Sequence, residues 1–119
     1  MEKILPAQHL LADLFGIEKS LLSNQENFLT LLKDSAAKLS YPTTTEITLS
    51  TLPEGGYAYS LILPIGHISF RSHPEANYLA IDIFLQNQLD PEEIFALWAK
   101  NFSATLIRKT SISRGLYGD

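Results

Sequence analysis

The sequence has 119 residues, the size of one ordinary domain, and we expect a single domain over residues 1–119. Its 45% apolar and 18% charged residues argue against disorder, and its net charge of −4 argues against a nucleic-acid partner. The absence of cysteine excludes disulfides and thiolate chemistry. No apolar run is long enough for a signal peptide or a bilayer span, so we expect a soluble, cytoplasmic protein without a membrane partner.

The sequence pattern in the first part of the chain predicts one strand and one long helix. The apolar-rich segment from Gln8 to Phe15 predicts the strand. From Leu21 to Leu39 apolar residues recur at helical spacing, which predicts a helix with one apolar face. Pro42 ends this helix, because proline disfavours helix in the residue before it and has no N–H to donate.

The middle of the chain predicts four strands, because β-branched and apolar residues there alternate with polar ones between turn-forming segments. The strands are Thr43–Thr51, Tyr57–Leu63, Ile65–Phe70 and Tyr78–Leu85. Leu52 to Gly56 has the composition of a turn, Pro64 interrupts the chain before the third strand, and Ser72 to Asn77 predicts a loop. The short links between these strands predict antiparallel hairpins.

The last third predicts a helix and a final strand. Asp90 can cap the helix, Pro91 suits its first position, and Glu93 completes a capping box. Residues Ala104 to Ile112 predict the strand. The element order β-α-β-β-β-β-α-β predicts an α+β two-layer sandwich, with a mostly antiparallel sheet and two helices on one face.

The polar residues with chemical potential cluster in one stretch of the chain. They are His67, Ser69, Arg71, Ser72, His73, Glu75 and Asp82. A Ser-His-acid set is one interpretation, although the sequence has no G-x-S-x-G elbow. A metal site formed by His67, His73 and Glu75 is another, but the spacing of the two histidines does not predict metal binding and we expect no metal. Ordinary polar residues of strands and a loop explain the pattern more simply.

One charged residue interrupts the most apolar strand. Asp82 lies inside the run from Leu79 to Leu85, where a carboxylate needs a partner or a cleft because burying it unpaired is costly. A structural hydrogen bond and a functional position both explain it.

The segment from Gly66 to Phe84 resembles the central motif of the small prokaryotic S-adenosylmethionine decarboxylases. That motif runs Glu-Ser-His-(apolar)-(Ser/Thr)-Ile-His-Thr-Trp-Pro-Glu and ends in Asp-(apolar)-Phe, and it matches this segment without a gap. The resemblance extends to the opening segment from Gln8 to Asp13, the helix from Asp90 and the closing residues Ser113 to Gly115. It implies the same α+β fold.

The resemblance also implies how the family makes its cofactor. Its members cleave their own chain between the Glu and Ser of the motif, and the serine becomes a pyruvoyl group that accepts electrons during loss of CO2. Here Ile65 and Gly66 stand in place of that pair. Glycine has no hydroxyl to attack the chain, so we expect no self-cleavage and no pyruvoyl cofactor.

Three other positions with catalytic roles in the family are changed. The histidine that assists processing aligns with Arg71, which stays charged and is a poor base. The proton-donating cysteine aligns with Gln86, and the upstream serine aligns with Ala58, or with Tyr57 if the preceding turn is placed differently. We therefore expect no catalytic residues and an inactive protein.

The ligand pocket that the resemblance implies is altered as well. Pro74 and Glu75 keep the Pro-Glu of the motif, and Glu75 is a candidate for binding ribose hydroxyls. His73 replaces the preceding tryptophan, and Thr51 replaces an aromatic residue that stacks on adenine. The expected ligand-binding set is His67, Arg71, His73, Pro74 and Glu75, in which Arg71 can hold a carboxylate by bidentate contact. We assign the retained His67 and Asp82 to stability.

Three functions remain open at this point. The first is a regulatory partner in polyamine (spermidine) biosynthesis, which forms a homodimer, as family members do, or a heterodimer with an active decarboxylase paralogue. The second is a binder of a small metabolite such as S-adenosylmethionine or a polyamine. The third is an active decarboxylase with non-standard machinery, for which residues 66–84 offer neither a thiol nor a lysine.

Overall fold

The computed structural model describes residues 6–41 and 47–115, which form a sheet with helices on one side. The strands are β1 (Ala7–Phe15), β2 (Ile47–Thr51), β3 (Tyr57–Leu63), β4 (Gly66–His73), β5 (Tyr78–Gln86) and β6 (Leu106–Arg114). The helices are α1 (Lys19–Leu22), α2 (Gln25–Lys38) and α3 (Pro91–Phe102), with 3₁₀ turns at Pro53–Gly55 and Pro74–Ala76. The strand order is β2-β3-β4-β5-β1-β6, and every neighbouring pair is antiparallel.

The core lies between the helices and one face of the sheet, because alternate residues of each strand point to opposite sides. In β5, Leu79, Ile81, Ile83 and Leu85 are all buried, while the residues between them are half-buried. Buried residues of α2 and α3 belong to the same apolar cluster as these strand residues. The predicted α+β sandwich with helices on one face is confirmed.

Aromatic rings fill the centre of this core. Phe28 of α2 stacks on Phe70 of β4 with a centroid separation of 4.2 Å and lies 5.5 Å from Phe102 of α3. The indole N–H of Trp98 donates to the Ser35 hydroxyl oxygen at 3.0 Å, which satisfies a polar group that would otherwise be buried without a partner. The two longer helices are thereby joined to each other and to the sheet.

The predicted helix from Leu21 to Leu39 is two helices, so that prediction was wrong in part. Asn24 lies between them in an extended conformation, and its side-chain oxygen accepts the N–H of Asn27 at 3.1 Å. This contact caps a new helix, and N-caps take a non-helical backbone. The apolar spacing continues across the break and conceals it. Pro42, which was predicted to end the helix, lies outside the described residues.

Other predicted boundaries shift by a few residues. Strand β4 continues through Ser72, which was predicted to be loop, and Ile65 lies in the turn before β4 instead of in the strand. The Asp90 side chain accepts the N–H of Glu92 at 3.0 Å, where the predicted capping box would use Glu93. The first residues of the predicted strand Thr43–Thr51 lie outside the described residues, and β6 extends past Ile112 to Arg114. None of the helices in the described ranges is long and apolar enough to cross a membrane.

Candidate functional site

The sheet face opposite the helices carries no covering layer in the described part of the chain. We call it the outer face, defined by His67, Ser69, Arg71 and His73 of β4 and by the residues paired with them across the sheet. Most of the polar residues singled out in the sequence project from this face. Any site built from them therefore opens away from the core.

The expected ligand-binding residues are spread along β4. A strand rises about 3.3 Å per residue, so His67 and His73 lie about 20 Å apart. Arg71 lies between them on the same side of the strand. No single small ligand contacts all three, and the structure divides the expected set among three places.

The first place is a groove of about 340 Å³ around Arg71. Arg71 pairs with Ala58 on one neighbouring strand and with Ala80 on the other, and these small side chains leave space beside the guanidinium. Other residues lining the groove include Thr48, Ser50, Ser60, Ser69 and Asp82. The groove is thus bordered by hydroxyl groups and carries one positive and one negative side chain.

The second place is an aromatic cluster around His67. Its ring stacks on Phe84 at 5.3 Å between centroids, and His9 meets it edge-on at 6.3 Å. The Arg114 guanidinium lies over the Phe84 ring at 5.0 Å. Neither His9 nor Arg114 is among the predicted site residues, because β1 and β6 join this cluster only through the order of strands in the sheet.

His9 is held neutral in this cluster. Burial lowers the pKa of His9 below 6.5, the Asp82 carboxylate opposes that effect, and the neighbouring Arg114 and His67 reinforce it. A nitrogen of the Arg114 guanidinium lies 3.3 Å from Nδ1 of His9. Arginine can only donate, so Nδ1 accepts and Nε2 carries the proton. Nε2 is buried and has no hydrogen-bond partner among the described residues.

The third place is the end of β4 and the 3₁₀ turn that follows it. His73 Nδ1 lies 3.4 Å from the carboxylate of Glu75, and the His73 ring stacks on Tyr78 at 5.7 Å. Glu75 is exposed, whereas Pro74 is buried and its carbonyl accepts the amine of Lys19 at 3.2 Å. Of the expected Pro-Glu pair, Pro74 therefore has a packing role, whereas Glu75 is exposed and pairs with His73.

Tyr78 carries the most strongly perturbed group on the outer face. Its hydroxyl donates to Asp13 at 2.5 Å. Burial, this hydrogen bond and the charges of Asp13 and Asp82 raise the pKa of Tyr78 to about 12. The phenol is therefore protonated at neutral pH and acts as a hydrogen-bond donor and not as a base.

The sequence profile of a family described as S-adenosylmethionine decarboxylase matches residues 8–115. The chain belongs to this family. An S-adenosylmethionine decarboxylase proenzyme from Clostridium botulinum is 32% identical over 108 residues, which cover 90% of this chain and 92% of that protein. A proenzyme of the same name from Clostridium kluyveri is 24% identical over 111 residues, covering 92% of this chain and 87% of that protein.

The fold of the family is also shared. The crystal structure of the adenosylmethionine decarboxylase from Aquifex aeolicus superposes with a TM-score of 0.79 and 21% identity, over 99% of this chain and 97% of that chain. The family and the fold implied by the motif from Gly66 to Phe84 are confirmed.

Ile65 and Gly66 lie at the hairpin between β3 and β4. Leu63 pairs with Gly66 around a two-residue turn, and the N–H of Gln86 donates to the Ile65 carbonyl at 2.7 Å. A Cβ added at Gly66 would overlap the carbonyl oxygen of Phe84 and lie 3.1 Å from the Cα of Leu85. Main chain therefore fills the space into which a side chain at position 66 would project.

The positions that the resemblance marks as changed do not meet at one point in a single chain. Gln86 lies beside Ile65 and Gly66, as described above. Arg71 is five residues farther along β4, about 16 Å from Gly66, and Ala58 lies next to Arg71. Within residues 6–41 and 47–115, no group of three His, Asp or Glu side chains is arranged to hold a metal ion.

Proposed function

We propose that this chain is a non-catalytic, uncleaved member of the S-adenosylmethionine decarboxylase family, which acts in the cytoplasm as a regulatory partner or metabolite-binding protein of polyamine (spermidine) biosynthesis. The observation that carries the proposal is Gly66. By the resemblance, it occupies the position of the serine from which relatives form their cofactor, and it has no hydroxyl.

The surroundings of Gly66 support the same proposal. A pyruvoyl group forms from a residue with a side chain, and the carbonyl of Phe84 fills the place where a Cβ at position 66 would lie. The hydrogen bond from Gln86 to Ile65 holds the hairpin closed at the bond that relatives break. The residues present do not fit a pyruvoyl group.

The proposal is tested by the mass and the activity of the purified protein. We expect a single uncleaved chain of 13.3 kDa and no release of CO2 from carboxyl-labelled S-adenosylmethionine. The Clostridium botulinum relative, prepared in parallel, is the control for processing conditions. Two fragments that meet between Ile65 and Gly66 would overturn the proposal. Release of CO2 by an intact chain would favour a decarboxylase with non-standard machinery.

We further propose that two copies of the chain associate through their outer faces. The resemblance supports this, because members of the family are dimers with active sites near the interface. The outer face also exposes apolar side chains, with Leu106 49%, Ile112 46% and Ile62 51% exposed. Exposed apolar residues on one uncovered sheet face are typical of an interface.

Two variants of strand β6 test this association. Ile112→Glu places a charge on the outer face, whereas Ile107→Glu places one on the other side of the same strand, at a residue that is 40% exposed. We expect sedimentation equilibrium to give a dimer for the native chain and for Ile107→Glu, and a monomer for Ile112→Glu. A native monomer at concentrations of about 100 μM would contradict the homodimer.

The regulatory role has its own test. Co-expression with an active decarboxylase paralogue is expected to give a mixed dimer or a changed turnover rate. If the two chains separate completely and the turnover of the active enzyme is unchanged, the metabolite-binding role is the one that remains.

A further inference from the structure

One row of paired residues crosses five strands of the sheet on the outer face. His67 of β4 and His9 of β1 both pair with Phe84 of β5, and the row ends in Ile62 on β3 and Ile112 on β6. We call these five residues the cross-sheet row. Its isoleucine ends are exposed, and its aromatic centre is half-buried. The row is therefore suited to burial against a second copy, except that histidine is the side chain whose charge changes most readily near neutral pH.

The contacts of His9 suit a neutral ring and not a charged one. Its Nδ1 lies 3.3 Å from the Arg114 guanidinium, and its Nε2 is buried without a partner among the described residues. A proton on Nδ1 places two donors against each other, because arginine cannot accept a hydrogen bond. Burial outweighs the attraction of the Asp82 carboxylate, so the pKa of His9 lies below 6.5. Proton uptake therefore disturbs the centre of the cross-sheet row.

The charges that face His9 and His67 on the outer face come from four strands. These are Arg71 of β4, Asp82 of β5, Asp13 of β1, and Arg108 and Arg114 of β6. The described residues of β2 and β3 add no charge to this face, and the helices lie on the other side of the sheet. Three arginines against two aspartates leave the face slightly positive while the two rings are neutral. Each proton that a ring takes up adds to this excess.

The remaining titratable groups of the face do not offset that change. His73 lies 3.4 Å from the Glu75 carboxylate, so a proton on His73 is balanced within the same chain. Tyr78 donates its hydroxyl proton to Asp13 and stays neutral. Acid therefore adds uncompensated positive charge at His9 and His67, in the middle of the face.

We propose that the association of two copies through their outer faces is controlled by pH, with His9 and His67 as the groups whose protonation separates the copies. Face-to-face packing brings the positive charge of one copy against that of the other in a space with little water, where like charges repel more strongly than in solvent. Separation lets water hydrate the charged rings. The dimer therefore binds fewer protons than two free chains, and its dissociation constant rises as the pH falls.

This inference deepens the proposed association through the outer faces and rests on it. The test is sedimentation equilibrium of the full chain at pH 7.5 and at pH 5.5. We expect the dissociation constant of the dimer to be about tenfold or more higher at pH 5.5, because each copy contributes its own rings to the interface. The near-ultraviolet circular dichroism of Trp98, which lies in the core on the other side of the sheet, should be the same at both pH values.

Histidine variants identify the groups responsible, and the measured quantity is the ratio of the two dissociation constants. His9→Gln and His67→Gln each remove a ring that can be charged, so each should bring the ratio closer to one, and the double variant should bring it closest. His73→Gln is the matched control, because it removes the third histidine of the chain, whose charge Glu75 balances. Its ratio should equal that of the native chain.

Three results would overturn the inference. One is a native dimer whose dissociation constant is the same at both pH values. Another is a change in the Trp98 signal that accompanies dissociation, since the copies then separate through acid unfolding. The third is a pH response that His73→Gln removes and the double variant retains. A dimer at both pH values contradicts this inference alone, whereas a monomer at both contradicts the proposed association as well. The intact mass tests the proposed lack of cleavage independently of either result.

Discussion

Gly66 lies against the main chain of Phe84, so that a Cβ at position 66 would overlap the Phe84 carbonyl oxygen. The close approach follows from the pairing of β4 with β5, in which Gly66 is opposite Leu85. Glycine at this position therefore has a steric role of its own. It allows two strands to continue side by side to the end of the hairpin, at a place where any other residue requires the backbone to move.

Gly66→Ser is accordingly not expected to restore self-cleavage. The added side chain must push the β4 and β5 backbones apart, and we expect a loss of stability of about 1–3 kcal/mol. The measurements are intact mass and urea unfolding followed by the fluorescence of Trp98, the single tryptophan of the chain.

Gly66→Ala is the matched control for this prediction. It adds a Cβ without a hydroxyl, so it should lose about as much stability as Gly66→Ser if the cause is steric. A Gly66→Ser variant that cleaves itself, or that is as stable as the native protein, would contradict this prediction. Either result would show that the β4 and β5 backbones separate readily at position 66.

The buried hydroxyl of Ser72 connects three elements of the fold, α1, β3 and β4. Its oxygen accepts the N–H of Tyr57 at 2.9 Å and donates to the carbonyl of Leu22 at 3.0 Å. Ser72→Ala leaves both main-chain groups without this partner in the interior, and the expected loss is about 1–3 kcal/mol. Ser69→Ala, on the half-exposed outer face of the same strand, should change stability by less than about 0.5 kcal/mol. Equal effects in urea unfolding would refute this role of Ser72.

We predict that the hydroxyl of Ser35 stabilises the contact between α2 and α3. Its hydroxyl accepts the indole N–H of Trp98 at 3.0 Å and donates to the carbonyl of Leu31 at 2.7 Å. Ser35→Ala removes the acceptor of a buried N–H at a cost of about 1–3 kcal/mol, which the better helix propensity of alanine offsets only by a few tenths. The check is urea unfolding together with the wavelength of Trp98 emission.

The control for Ser35 lies on the same helix. Thr30 is exposed, so Thr30→Ala should leave Trp98 emission unchanged and hold or slightly raise stability. If Ser35→Ala behaves like Thr30→Ala, then the hydrogen bond to the indole contributes nothing measurable to the fold.

The order of elements was predictable because it depends on local patterns. The alternation in β5 and the cap at Asp90 both come from neighbouring residues, and both are present. The break at Asn24 was not predictable from spacing, because the apolar positions on both sides of it keep the same helical period. A single side-chain contact to Asn27 decides it.

The candidate site was predictable in its chemistry and not in its geometry. The motif placed Arg71 and Asp82 in one segment, but whether they meet depends on the register of β4 against β5. His9 joins His67 only because β1 and β4 lie on either side of β5. Strand order and register are set by the whole sheet, and a single sequence offers no direct signal for either.

We expect the free energy of unfolding to change with pH because the His9 ring takes up a proton. Its pKa in the folded protein lies below the 6.5 of an unfolded chain, chiefly through burial and with added repulsion from Arg114 and His67, against attraction from Asp82. The unfolded state therefore binds a proton more readily than the folded state. Stability contributed by neutral His9 is present above pH 6.5, decreases as the pH falls through 6.5, and is lost below the folded-state pKa. Urea unfolding at a series of pH values should show a weaker decrease for His9→Gln.

Proton NMR assigns this effect to the residue. The chain has three histidines, and the His9 ring resonance is the one that is absent from His9→Gln; we expect it to titrate with a pKa below 6.5. Arg114→Gln should raise the pKa of His9, because it removes a neighbouring positive charge and leaves Nδ1 free to take a proton. If the His9 resonance titrates at or above 6.5 in the native protein, the cluster does not hold this ring neutral.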